Sequence, residues 1–204
     1  PMGRCTKSGM DGRTYEMTVL QILPPAVEPL SLPDLKQHLR IETTDEDDLL
    51  TALIVAARSH VETVTGTILI AQQFRQFLDD WPSGEVVLER YPVLSLDSVQ
   101  IFDEDGEPQS LPADQIYLDG ISRPCRLVLR EKPVSGVPIN GIEIEFTAGH
   151  GATSVDVPAT LRRAVLELAS HWYEFRGAVA PHQQPVSVPA SFTALIQPPK
   201  SFHL

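Results

Sequence analysis

The side chains best suited to chemistry in this sequence are carboxylates. Asp45, Glu46, Asp47 and Asp48 stand in an unbroken row, and Asp103, Glu104 and Asp105 make a second acidic group. Paired carboxylates with split pKa values serve as general acid and base, and clustered ones hold hard divalent cations. Neither group has the Gly-containing spacing of a calcium loop. The first row falls where a helix should begin, so its charge complements the positive helix end, worth about 0.3–1 kcal/mol per favourable group. The second surrounds Asp105-Gly106, a hairpin-tip signal. His38, His60, His150, His171, His182 and His203 are scattered, with no His-x-x-x-His pair and no cysteine partner, so no metal centre is expected. His171 is expected to be a hydrogen-bonded structural residue. The sequence has no Gly-x-Ser-x-Gly elbow and no phosphate-binding Gly-x-x-x-x-Gly-Lys loop, and no cofactor is expected. Thr147-Ala-Gly-His-Gly-Ala152 precedes a helix, but it reads as a strand-to-helix turn in which Gly149 and Gly151 supply positive φ angles.

The elements that must position these groups follow from periodicity and punctuation. Leu161, Val165, Leu168, Trp172 and Phe175 recur at steps of four and three, which places them on one face of a helix. Asp156 is the expected N-cap, Pro158 suits the first turn and Gly177 the stop. Burying five such side chains contributes roughly 1.5–3 kcal/mol each, against about 1 kcal/mol for a cap, so packing holds this helix in place. Ser31, with Asp34 three residues on, caps a short helix over Leu35, Leu39 and Arg40. A second helix is expected from Asp45 to Gly66, on the spacing of Leu50, Leu53, Ile54, Ala57, Val61 and Val64. Between the second and third helices, strands are expected at Gln73–Leu78, Val86–Leu88, Ser98–Phe102, Gln115–Leu118, Arg126–Arg130 and Ile142–Phe146. In the last of these, Glu143 and Glu145 alternate with apolar residues, which implies one wet face. The order implies an α+β fold: a helical body of three main helices, a small antiparallel β-sheet inserted between the second and third, and an extended C-terminal arm.

Residues 1–17 lack apolar periodicity and read as a flexible N-terminal extension, residues 18–177 as the main domain, and residues 178–204 as a Pro-rich arm. Pro181, Pro185, Pro189, Pro198 and Pro199 argue against a helix in the arm. Its apolar residues, Phe192, Leu195, Ile196 and Phe202 among them, call for burial, either on another chain or against the arm's own domain. The formal net charge of −11, with 16 Lys and Arg, disfavours a DNA-embracing surface. No apolar run approaches 18 residues and no signal-peptide pattern is present, so a soluble, unexported protein without membrane contact is expected. Cys5 and Cys125 are too few for a disulfide framework or a zinc site, and reduced thiols are expected.

Several motifs in register resemble the head-tail connector (adaptor) proteins of long-tailed bacteriophages and gene transfer agents. They are Leu32-Pro-Asp-Leu-Lys-Gln-His-Leu-Arg-Ile41, Asp45-Glu-Asp-Asp-Leu-Leu-Thr-Ala-Leu-Ile54 and Ala56-Ala-Arg-Ser-His-Val-Glu62. Tyr91-Pro-Val-Leu-Ser-Leu-Asp-Ser-Val99, Asp103 with Gly106, Phe146-Thr-Ala-Gly-His-Gly151 and the stretch from Val157-Pro158 to Arg176 continue the series. Val188-Pro189 and Ala194-Leu-Ile196 extend it, although Pro199-Lys-Ser-Phe202 replaces the usual aromatic and arginine finish. The resemblance covers residues 18–204. It implies a structural protein that is not an enzyme, in a ring of usually twelve copies beneath the portal. Such a ring extends the DNA channel, without sequence-specific DNA binding, and joins the portal to the next stopper or head-completion protein. It also implies a location at the head-tail junction of a particle made in the bacterial cytoplasm. Residues expected to meet partners are Arg162, Arg163, Tyr173 and Arg176 on the helix flank, with Phe192, Leu195, Ile196 and Phe202 on the arm. A carboxylate-dependent enzyme built on the acidic row, or a capsid or tail interaction module that does not bind the portal, is the alternative.

Overall fold

Helices form where the caps are written. Helix α1, Leu32–Leu39, starts at Ser31, whose side chain accepts a hydrogen bond from the Asp34 N–H at 3.2 Å. It ends at Arg40 in the left-handed conformation, φ 58°. Helix α2, Asp47–Thr65, keeps Asp47 and Asp48 in its first turn and stops at Gly66, φ 66°, where a side chain would be strained. Helix α3 is Ala159–Glu174. Its expected cap is corrected: Asp156 closes a capping box with Thr153 around a single 3-10 turn, Ser154–Asp156, and Pro158 stands ahead of α3 instead. Gly151 is corrected with it. Gly149 takes a positive φ of 145°, but the requirement at Gly151 is room, because a Cβ there would lie 2.5 Å from the Asp156 side chain.

The structure, a computed structural model, describes residues 4–8, 14–175 and 188–196. The chain divides into two compact units, Val27–Ile70 with Gly151–Leu204, and Pro1–Ala26 with Ala71–His150. These units differ from the single domain expected over 18–177, and the helical one gathers a buried cluster of its own.

The helical unit buries Leu35, Leu50, Ile54, Ala57 and Val61 against Ala164, Val165, Leu168 and Ala169. The same core takes in Phe192, which is 1% exposed. Phe192 lies on helix α4, Ala190–Ile196, in the segment where prolines argued against helix. Pro189 and Pro198 bracket these seven residues rather than interrupting them, so no helical N–H is lost, and Thr193 N–H reaches Pro189 O at 3.2 Å. Residues 178–187 and 197–204 of the arm, with Gly177, lie outside the described residues.

The other unit is built of antiparallel strands. They are β1 Arg4–Ser8, β2 Thr14–Leu23, β3 Gln72–Leu78, β4 Val86–Val87, β5 Val93–Phe102, β6 Pro108–Ser110, β7 Ile116–Asp119, β8 Arg126–Leu129 and β9 Ile142–Ala148. Six form one sheet in the order β1-β2-β3-β9-β5-β6, and three form a second in the order β4-β8-β7. Buried Gln76 joins the two sheets, donating to Val87 O at 2.9 Å and accepting from Glu89 N–H at 3.2 Å. The α+β class is as expected, with more sheet than the sequence indicated.

One expectation about the sheet is overturned and another holds in part. Residues 4–8 and 14–17 are strand, not flexible extension: β2 covers the open edge of β3, with Met17 opposite Leu78, and β1 pairs along β2. The expected wet face of β9 is half-buried at Glu145 and Thr147, and only Glu143 on it is buried. Strand β9 lies between β3 and β5, so Glu143 is 7% exposed and pairs with Arg75 at 2.8 Å, while Glu145 also meets Arg75. Burial pushes the Glu143 carboxyl above its usual range; Arg75 opposes this and the Glu145 charge adds to it.

Candidate functional site

Members of both acidic groups are engaged in structural contacts. At the start of α2, Asp47 pairs with Lys36 of α1 at 2.6 Å, and the Glu46 carboxylate accepts from the Tyr173 hydroxyl of α3. These contacts fasten three helix ends to one another. In the β5–β6 hairpin the Asp103 carboxylate accepts from the N–H groups of Asp105 and Glu107, at 3.0 and 2.9 Å, and from Gln109 Nε2 at 3.1 Å. Those bonds favour the ionised form and hold the Asp103 carboxyl below the ordinary range, the Glu107 N–H most. Gly106 at the tip takes φ 80°. Among the described residues no group of three His, Cys, Asp or Glu side chains is placed to hold a metal ion.

An open groove of about 430 Å³ in the helical unit is lined by Val27, Glu28, Ser31, Thr51, Ile54 and Thr153 among others. Four of its polar side chains are already engaged. Glu28 pairs with Arg58 at 2.7 Å, Ser31 donates to Asp34 at 2.6 Å, Thr51 donates to Asp47 O at 2.8 Å, and Thr153 donates to Asp156 at 2.7 Å. Each bond ends a helix or ties a loop, so these four groups serve the fold rather than a ligand. Arg58 and Glu62 form a further internal pair at 2.8 Å, and Glu62 accepts from the Leu69 N–H at 2.9 Å, which fixes the turn after α2.

The exterior of α2 is different. From Leu49 to Val64 the exposed side chains are Leu49, Thr51, Ala52, Val55, Ala56, Ser59, Thr63 and Val64, every one uncharged, while Arg58 is buried and Glu62 half-buried. Leu49, Val55 and Val64 are 39%, 39% and 51% exposed. A solvated helix face ordinarily carries charge, so this one is shaped for contact.

Comparison with known proteins places these features. Residues 29–117 match the family of phage gp6-like head-tail connector proteins. Three solved chains share the fold at 26–28% identity. One, from the neck of an empty gene transfer agent particle with C6 symmetry, aligns at a TM-score of 0.72 and 28% identity over 87% of this chain and 94% of that one. A chain from the neck of the native particle with C12 symmetry aligns at 0.65 and 28%, over 86% and 94%. One from the virion of the native particle aligns at 0.71 and 26%, over 87% and 92%. The chain is similar to head-tail connector proteins over residues 29–117 and to particle-neck chains over most of its length. A sequence comparison with curated proteins finds no match.

Within this chain, the residues expected to meet partners have unequal positions. Arg163 is exposed on α3 and pairs with Glu167 one turn on. Arg162 is half-buried, and its Nε is buried without a hydrogen-bond partner among the described residues. Tyr173 is turned inward to Glu46. Phe192 is corrected from partner contact to core: its ring lies 5.7 Å from that of His60, which in turn meets Trp172 edge-on at 5.8 Å. Leu195 and Ile196 pack half-buried against the same core. Arg176 and Phe202 lie outside the described residues. His171 packs its ring on Phe175 at 4.8 Å. Sequence reasoning missed the uncharged face of α2. The signal was present, because the charged residues between Leu49 and Val64, Arg58 and Glu62, are four apart and share one side with the core.

Proposed function

We propose that this chain is a structural, non-catalytic adaptor whose copies form a ring, of twelve by the C12 neck, at the head-tail junction of a phage or gene transfer agent particle. The ring sits between the portal and the next stopper or head-completion protein and continues the DNA channel. The observation that carries this is the extent of the likeness: 86–87% of this chain overlays 94% of chains from particle necks. The net charge of −11 supports it, because an acidic wall makes few of the phosphate contacts that would hold passing DNA. The exposed Arg163 and half-buried Arg162 are available to neighbouring proteins. Synthesis in the bacterial cytoplasm follows from such a particle, and no membrane contact is invoked. Removal of the gene from the producing strain tests this: electron microscopy should show filled heads and free tails that no longer join, with joining restored by the wild-type chain. Joined, DNA-delivering particles in its absence would overturn the proposal.

A further inference from the structure

Copies of a chain with net charge −11 repel one another, so contact between them is favoured where the surface carries no charge. The exposed face of α2 is such a surface, and its composition limits what can cover it. Ala52, Ala56, Ser59 and Thr63 let another backbone approach closely, while Leu49, Val55 and Val64 supply apolar area at its margins. With no exposed charge to pair, the face gives a highly charged partner nothing to bind, whereas an uncharged patch on an identical copy meets it without a desolvation cost.

Size argues for the same occupant. Sixteen helical residues span roughly 24 Å and present a strip about 10 Å wide, on the order of 250 Å² per copy. A standard stable interface needs about 800 Å² per partner, so this strip does not hold two free chains together. It contributes once something else holds the chains side by side, when their effective concentration reaches the millimolar range. Ring neighbours on a common platform are in that situation.

We infer that the α2 face between Leu49 and Val64 docks on the adjacent copy of this chain, as one of the two unlike surfaces that a closed head-to-tail ring requires. The inference rests on the ring reading proposed above and adds which surface of the connector faces its neighbour. It predicts a chain that is monomeric when free and associates on its particle.

The test is a photo-crosslinking scan in the particle-producing strain. Benzoylphenylalanine is placed at Ala56 on α2 and, as comparison, at the exposed positions Glu104, Arg130 and Arg163. Particles are irradiated and adducts identified by mass spectrometry. The expected result is a self-adduct of the connector from Ala56 in particles and none from the free chain. In a second arm Ser59→Glu, a change to a better helix former at an exposed site, should cut the Ala56 self-adduct at least tenfold, while Ser59→Ala leaves it. Self-adducts from the comparison positions but none from Ala56 would overturn the α2 surface and leave the ring intact. An adduct from Ala56 to a different protein would overturn the occupant. Absence of self-adducts from every position would remove the ring reading and this inference with it.

Discussion

Replacement of Phe192 by Ala separates two roles for the C-terminal helix. If α4 existed only to dock on another protein, the isolated chain would not register the change. In the structure Phe192 is 1% exposed and contacts the His60 ring, in a core built from α1, α2, α3 and α4. Removing a buried Phe side chain costs about 3–5 kcal/mol when the surroundings cannot collapse. Helix α4 has seven residues, and its loss of packing is bounded by the free energy of undocking it, so the lower end, about 3 kcal/mol, is the expectation. For a chain of this length each kcal/mol moves the melting temperature by about 2–4 °C, which gives a fall of roughly 6–12 °C. Circular dichroism melts of the isolated wild type and F192A measure it. Hydrogen exchange should show faster exchange in α4 and at the adjoining surfaces of α2 and α3. An unchanged melting temperature with unchanged exchange would refute the placement of Phe192 in the core. The same reasoning predicts that deletion of 178–204 weakens the helical unit as well as any docking by the arm.

Three further outcomes follow from the structure. Glu143 has a folded pKa raised above its unfolded value near 4.5, chiefly by burial, so the stability it contributes is present below pH 4.5 and is lost as pH rises through the raised value. The melting temperature of E143Q should therefore fall less than that of wild type across that window; parallel pH profiles would count against the buried carboxylate. Gly151→Ala places a Cβ against Asp156 and should lower the melting temperature, whereas adding Asp156→Ala relieves the clash, so the two changes together should cost less than their sum. Strict additivity would show that Gly151 does not need that space. Gly136→Ala drives a Cβ into the backbone of Asp103 and Glu104, which cannot swing aside, and should destabilise the strand unit by about 1–3 kcal/mol or more in urea unfolding; a neutral change would contradict the close approach of the two loops.

What could be read from the sequence depended on whether local pattern and tertiary position agreed. The faces of α2 and α3 were legible because Leu50, Ile54, Val61, Val165 and Leu168 recur with the helical period and all are buried. The cap at Ser31 and the stop at Gly66 were legible because each is a local steric event. Glu143 misled for a tertiary reason: alternation is the mark of a half-wet strand, and only its place between Phe77 of β3 and Gln100 of β5, with Arg75 pairing on the diagonal, makes this one carboxylate internal. Strand β1 and the start of β2 were hidden because edge strands can be polar and take their order from the strand they cover. The first half of β5 was hidden by irregularities at Val93/Ser95 and Leu96/Ser98 that break the period of two. The acidic rows attracted attention as chemistry and turned out to fasten helix ends and a hairpin, while the surface with the clearest call for a partner is the stretch of α2 where exposed charge is missing.

Where this chain resides in the particle, and in what symmetry, decides whether it is the proposed ring-forming adaptor. Electron cryomicroscopy of intact particles from the producing strain, with an epitope-tagged copy of this chain and no symmetry imposed, addresses both together. The prediction is a closed ring of twelve copies at the neck, between head and tail, with the α2 faces directed at neighbouring copies. A neck ring that lacks the tag, or the tag found elsewhere on single unassociated chains, would contradict it.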